Sequence, residues 1–281
     1  VVPENGLVIP DIKTGNNFTI TLKSNGTVWS FGNNEYGQLG LGDNNNKNAP
    51  KQVELLNDKI ISQIAVGNNH VIVLTQDGEV YTWGLNSNGQ LGTNNIRNSN
   101  IPQKVQMPQS EELVKVIEDT IVKVIANKNT SYAIAQSGKV YVWGEGYTNK
   151  TTLLETELDI VDISNNYILD IEGNVYNKKT NTRLEIVEKI KYISEGRTHT
   201  VFLSEMGTGF AIGSNTFGQF GDGTNVSSET QVVAIRNEDL TDILRGIVKL
   251  EAGDGYTTAL LANGKIVTTE AKAKEIRKVA E

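Results

Sequence analysis

The chain has 281 residues, 38% hydrophobic and 21% charged, which allows a sizeable buried core and excludes a disordered or fibrous polymer. It has no cysteine and two histidines, which excludes disulfide staples, thiol nucleophiles and Cys/His zinc centres. The formal net charge is −7, and no apolar run reaches the ~20 residues of a membrane helix, so neither nucleic acid nor membrane insertion is expected.

In chain order, the first unit (about 9–57) opens with the strand IPDIKTG (9–15) and continues through GNNFTITL into the octapeptide NGTVWSFG (25–32). Asn-Gly predicts a two-residue type I′ hairpin turn, and Val-Trp is what a half-buried strand prefers. The loop GNNEYGQLGLG (32–42) leads to a fourth strand, APKQVELL (49–56). The second unit (61–108) repeats this order: ISQIAVG, GNNHVIVL, DGEVYTWG (77–84), GLNSNGQLGTN and IPQKVQMP (101–108). The third (121–157) and fourth (160–189) keep the strands IVKVIAN and IVDISNN, the octapeptides SGKVYVWG and EGNVYNKK, and outer strands at 150–157 and 182–189, but lose the GQLG loop. The fifth (190–236) regains it as GSNTFGQFGDG, and the sixth (247–281) ends with NGKIVTTE and a weaker strand, KEIRKVAE (274–281).

Four short strands, six times over, with glycine turns between them, predict an all-β β-propeller of four-stranded blades. Six blades are counted, seven being the alternative, in one domain spanning 1–281. Units three and four should be the smallest. The first strand of each unit has Ile at its first position and Ile, Val or Leu three residues on. Gly15, Gly67, Gly196 and Gly253, with Asn127, occupy one turn position that reads as left-handed. Gly37, Gly40, Gly89, Gly92, Gly218 and Gly221 are expected to hold scaffold turns.

No residue set assembles into catalytic chemistry, so the chain reads as a non-enzyme without metal or organic cofactor. His70 and His199 share one motif position and are expected to brace turns. Trp29, Trp83 and Trp143 are expected to pack within or between blades. Asp43–Asn46 lacks the bidentate Glu of a calcium loop, and GTGFAIG (207–213) lacks the spacing and βαβ context of a dinucleotide loop.

The turns between the first and second strands differ from unit to unit while the flanking strands stay alike. A shared scaffold displaying unshared contacts has this form. These turns supply the candidate partner-binding residues Asn16, Asn17 and Phe18, then Asn68, Asn69 and His70, then Lys128 and Asn129. Units four to six add Tyr167, then Arg197, Thr198 and His199, then Asp254 and Tyr256. Strand alternation places all six turns on one face, around the central channel of the propeller, and the GQLG loops are expected on the opposite one.

GNNEYGQLGLG, GLNSNGQLGTN and GSNTFGQFGDG, joined to G-x-x-H-x-x-x-L and D-G-x-V-Y-x-W-G, resemble the regulator of chromosome condensation repeat. The resemblance covers essentially the whole chain. It implies a β-propeller that usually has seven blades, and a protein partner; small GTPases, β-lactamases and ubiquitin-ligase clients are partners in that family. Its exchange factors face their GTPase with Asp and His from the same turns, which implies Asp254, His70 and His199 here. The leading expectation is a monomeric, non-enzymatic scaffold that docks another protein on one loop face. One alternative is a nucleotide-exchange effector of a Ran-like GTPase, for which the 107–120 link is the wedge candidate. Another is an adhesion or wall-associated module of a larger secreted protein. The Asn- and Lys-rich flavour suggests a bacterial member, secreted or cell-surface rather than cytoplasmic.

Overall fold

The computed structural model describes residues 7–108 and 119–269, so the expected strand 274–281 and most of the 107–120 link lie outside the described residues. Among those described, the chain is all-β: a β-propeller fold of six blades, five with four strands and one with three, plus a single 3-10 turn at Glu54–Leu56. It divides at Asp159/Ile160 into two compact units of three blades each.

In the first unit, blade one is β1 (Asp11–Thr14), β2 (Phe18–Leu22), β3 (Val28–Gly32) and β4 (Lys47–Gln52). Blade two is β5 (Ile61–Val66), β6 (His70–Thr75), β7 (Val80–Gly84) and β8 (Ser99–Lys104). Blade three is β9 (Ile121–Asn127), β10 (Thr130–Ala135), β11 (Val140–Gly144) and β12 (Thr152–Leu153). In the second unit, blade four is β13 (Ile160–Ile163), β14 (Tyr167–Asp170), β15 (Val175–Asn177) and β16 (Thr182–Arg183). Blade five is β17 (Ile190–Glu195), β18 (His199–Ser204), β19 (Gly209–Gly213) and β20 (Ser228–Ala234), and blade six is β21 (Ile247–Ala252), β22 (Thr257–Leu261) and β23 (Ile266–Thr268). Every blade is an antiparallel meander with its strands in sequence order.

The core lies between blades, which explains why the second strands are apolar on both faces. Along β6, Val71 and Val73 join the cluster shared with Phe18, Ile20 and Leu39 of blade one. The alternate residues Ile72 and Leu74 pack with Val124 and Trp143 of blade three. In the second unit β18 splits the same way, with Phe202 toward blade four and Val201 and Leu203 toward blade six. Pleat alternation therefore feeds two layers from one strand, and a polar substitution on either face would open one of them.

The first strands look out of step with a sheet, because Ile and its apolar partner stand three residues apart. A register shift between Ile61 and Gln63 reconciles them, so that Ile61 and Ile64 are both buried. Bulges recur at Ile160, Ile190 and Ile247, and one opposite Ile121 lies between Ile134 and Ala135. Blade one is the exception: β1 pairs without a bulge, and Ile9 and Ile12 are exposed.

Three sequence expectations are corrected. The Asn-Gly and Asp-Gly hairpins are not two-residue type I′ turns. Gly26 N–H donates to Lys23 O (2.9 Å) and Lys23 N–H to Thr27 O (3.0 Å), a three-residue loop in which only Gly26 (φ +79°) is left-handed. The same pair of bonds closes the hairpins of the other five blades, at Gly78, Gly138, Gly173, Gly207 and Gly264. A type I turn with a glycine bulge tolerates most residues ahead of the glycine, hence Ser137, Glu172 and Met206. The outer strands of the first five blades also end sooner than predicted, and those of blades one, two and five begin one or two residues earlier. Val53 N–H bonds Val28 O (2.9 Å) and Val105 N–H bonds Val80 O (2.9 Å), after which the chain leaves the sheet. Finally, Trp29 is out of register with the other tryptophans: Trp83 and Trp143 pair with Val71 and Ser131, but the residue paired at that level in blade one is Phe31.

Candidate functional site

The turns between first and second strands are fastened to one another within each unit. In the first, Asn16 N–H donates to Asn68 O and Asn68 N–H to Lys128 O, both at 2.8 Å. Asn17 (φ +62°) and Lys128 (φ +48°) take the left-handed conformation there. In the second, Asn166 donates from its backbone and side chain to the Glu195 carboxylate (3.1 and 2.6 Å), and Arg197 faces Asp254 at 3.4 Å.

The glycines that open these turns are not left-handed, contrary to the sequence reading. They are needed for close approach. A Cβ on Gly67 would fall 2.5 Å from His70 Nδ1 and 2.5 Å from Lys128 O, and one on Gly15 would run into the Phe18 ring. At Gly15, Gly67 and Gly253 the ring three residues downstream folds back onto the glycine, whereas at Gly196 the Gly253 carbonyl and Ala252 take up the space.

The side chains then separate into two classes. Asn16, Asn17, Lys128, Arg197, Thr198 and Asp254 are exposed, and Asn68, Asn69, Asn129 and Tyr256 are half-buried. Phe18, His70, Tyr167 and His199 are buried and offer no surface. Tyr167 packs edge-on against Phe202, and burial, with Glu195 and Glu229 adding to it, pushes its hydroxyl up to about 12.

His70 and His199 form matching latches between blades. His70 Nε2 lies 2.9 Å from Ser131 Oγ, whose own hydroxyl donates to Gln90 O (2.8 Å). His199 Nε2 lies 2.9 Å from Thr257 Oγ1, which donates to Gln219 O (2.7 Å). Each hydroxyl has one proton, already spent on the glutamine carbonyl, so the histidine must donate from Nε2. Nδ1 is then an unprotonated nitrogen, buried and without a hydrogen-bond partner in either residue. Burial lowers both imidazoles to about 4, so they are neutral braces at pH 7.

The GQLG loops lie at the same end of the blades as these turns, not opposite them. In a meander the connections between strands one and two and between strands three and four leave from one end. The residue after each third strand is bonded to the turn: Asn33 N–H to Asn17 O, Leu85 N–H to Asn69 O and Ser214 N–H to Thr198 O (2.8, 2.8 and 2.9 Å). The loops are held by a buried asparagine that the sequence reading passed over. Asn34, Asn86 and Asn215 each accept the N–H of Leu39, Leu91 or Phe220 and donate to the carbonyls of their own loop. The signal was present as Asn at one fixed place after the glycine of each motif. Each loop reaches onto the next blade: a Cβ on Gly89 (φ +78°) would fall 2.5 Å from Asn149 Cα, and Trp143 Nε1 donates to Gln90 O at 2.9 Å. Asp43 is spent on Lys47, Asn45 and Asn34, which ties down its loop. Among the described residues no group of three His, Asp or Glu is placed to hold a metal ion.

Models of the regulator of chromosome condensation (RCC1) repeat match residues 25–74 and 77–118, and a second RCC1 repeat model matches 11–38 and 61–90. The chain contains RCC1 repeats. It is 28% identical over 265 residues to the ultraviolet-B receptor UVR8 of Arabidopsis thaliana, covering 93% of this chain and 53% of the receptor. It is 28% identical over 254 residues to the serine/threonine-protein kinase Nek8 of Danio rerio, covering 90% of this chain and 34% of the kinase. The chain thus spans about a third to a half of these relatives. Among solved structures, that of Kap60 bound to yeast RCC1 (Prp20) matches 95% of this chain and 70% of the other with a TM-score of 0.71 at 18% identity. Human WBSCR16 matches 87% of this chain and 70% of its own with a TM-score of 0.70 at 18% identity. At such identities the likeness is one of fold.

Proposed function

We propose that this RCC1-repeat chain is a non-enzymatic scaffold that docks a protein through the turns between the first and second strands. One observation carries the reading. The turn backbones are bonded blade to blade, Asn16 to Asn68 to Lys128, while the side chains they display differ and point outward. A backbone already ordered leaves little entropy to lose on binding, and exposed Lys, Arg and Asp on it supply charge complementarity. A protein partner is in keeping with the solved relatives, which include yeast RCC1 with Kap60 and a Prp20p structure concerned with Gsp1p and histones. Nucleotide exchange on a GTPase is the narrower alternative. Its wedge candidate, 107–120, lies mostly outside the described residues.

The test compares two surfaces in affinity capture with quantified bound protein. One variant combines Lys128→Ala, Arg197→Ala and Asp254→Ala on the turns. The other combines Ile171→Ser and Met206→Ser, exposed tips of the β14–β15 and β18–β19 hairpins at the other end of their blades. Partners retained by the hairpin variant and lost by the turn variant support the reading. The reverse result moves the site to the hairpins.

A further inference from the structure

The hairpin end of blades four and five carries an apolar strip where other blades are polar. In the two residues ahead of the hairpin glycine, blades one to three have Ser24-Asn25, Gln76-Asp77 and Gln136-Ser137. Blade four has Ile171 there and blade five has Met206, 70% and 71% exposed. Nothing in the loop requires them, because a type I turn with a glycine bulge accepts polar residues at both places. Between the two tips runs the link from β16 to β17, where Val187 is 93% exposed.

The three side chains stand on one fixed backbone. Ile190 N–H donates to Gly173 O of the blade-four tip, and Glu205 N–H of the blade-five tip donates to Lys189 O, both at 2.9 Å. A Cβ on Gly173 would fall 2.9 Å from Lys189 Cβ, so the link is seated directly against the tip. Single exposed apolar residues are ordinary, but several on neighbouring segments mark an interaction surface. A strip ordered beforehand loses little entropy when it is covered.

Charge indicates what covers it. Segments 171–173, 183–189 and 205–207 hold Glu172, Glu185, Glu188 and Glu205 against Arg183 and Lys189, four carboxylates to two cations. Among the described residues none of the six is in an ion pair. Beside the strip, Gly173, Asn174, Arg183, Val187 and Glu188 line a cavity of about 120 Å³. That is well below the ~300 Å³ at which pockets for free ligands begin, and suits the end of one long side chain. Glu188 Oε1 accepts the Thr208 hydroxyl at 3.2 Å, while Oε2 is buried without a hydrogen-bond partner. A carboxylate oxygen left unpaired in this way is destabilising, and a cation brought into the pocket offsets the cost.

We propose that this strip docks a basic, apolar segment of a partner polypeptide. Large apolar side chains of the segment cover Ile171, Val187 and Met206, and a Lys or Arg enters the pocket beside Glu188. The surface is separate from the turns of the proposed function, which leave from the other end of the blades, so neither depends on the other.

The probe is an amphipathic peptide of Leu and Lys titrated into the full chain, with methyl NMR signals of Ile171, Val187 and Met206 as the readout. Saturable shifts of these methyls are expected, with affinity falling as salt rises. Combined Ile171→Ser and Met206→Ser should weaken binding at least about tenfold. Glu188→Gln, which keeps an acceptor for Thr208, should weaken it about threefold or more. Urea midpoints confirm that both variants are folded. No saturable shifts, equal binding of a Leu/Glu peptide or of oligolysine, or undiminished binding by either folded variant would each overturn the assignment. The variant with Lys128→Ala, Arg197→Ala and Asp254→Ala should bind the peptide as the parent does. Loss of binding there would overturn the location, whereas failure of the peptide leaves docking on the turns untouched. The basic residues at 272, 274, 277 and 278 are the competing occupant. Lys272→Glu, Lys274→Glu, Arg277→Glu and Lys278→Glu together should leave the affinity unchanged, and a gain of about tenfold would make 270–281 the occupant and overturn a partner.

Discussion

Acidification from pH 7 to pH 5 should destabilise the fold through His70 and His199, although both latches stay neutral in the folded chain. Unfolded, each imidazole titrates near 6.5; folded, burial holds it at about 4. The unfolded chain therefore takes up protons that the folded chain refuses, and stability complete above 6.5 is lost as pH falls toward 4. At pH 5 the deficit is about 1.5 pH units below the unfolded value, or ~2 kcal/mol for each histidine at 1.36 kcal/mol per unit. The latches share no residue, so the two losses should add to ~4 kcal/mol, a large part of the 5–15 kcal/mol typical of a domain. Carboxylates held low, such as Glu79 at about 2 between Lys104 and Lys59, remove stability in the same direction but only below their ordinary range. The window from pH 6.5 to 5 therefore belongs to the histidines. Urea midpoints at pH 7, 6 and 5 measure the loss, and His70→Gln and His199→Gln, which retain a side-chain N–H donor without the titration, should each remove about half of the slope. An unaltered midpoint at pH 5, or a full slope in the double glutamine variant, would refute the latch.

Gly89→Val should cost several kcal/mol, beyond the ~1–3 kcal/mol of a strained left-handed residue, because its Cβ meets the Asn149 backbone at 2.5 Å; thermal unfolding reads it. Trp83→Phe removes the bond to Gln38 O and part of a wholly buried ring, and should lower stability by ~1–3 kcal/mol in urea titrations. Arg197→Ala and Asp254→Ala break an exposed pair, with side chains 77% and 67% accessible, and should leave unfolding within ~0.5 kcal/mol of the parent while weakening partner capture. Phe18→Ala should behave oppositely, costing ~3–5 kcal/mol as a core deletion.

The blade was legible in the sequence because its markers are local. A hairpin glycine, an apolar third strand and a fixed interval between them each reflect one bond or one pleat, and six recurrences put them in register. Several details were hidden because the same residue satisfies more than one physical demand. Gly67 looks like a left-handed turn residue, yet it is glycine because the His70 ring and the Lys128 carbonyl leave no room for a Cβ. Asn-Gly at 25–26 looks like a type I′ pair, yet Asn25 caps the loop by accepting the Thr27 hydroxyl at 2.7 Å. The I-x-x-I spacing of the first strands resolves only once a bulge is known.

The candidate site was half legible for a related reason. Neighbouring positions in one turn serve opposite ends, and spacing does not distinguish them. At His70 and His199 the side chain turns inward, spends its one donor on the next blade and leaves nothing for a partner. At Asn69 and Thr198, one residue earlier, the backbone carbonyl anchors the chain after the third strand, and only the side chain is left for display. Variation from unit to unit therefore has two sources. Phe18, His70 and Tyr167 differ because each fills a different gap between its own blades, whereas Lys128, Arg197 and Asp254 differ where no core constrains them. Burial separates the two sources, so a scan of these turns that records stability beside binding will assign each residue to the latch or to the docking surface.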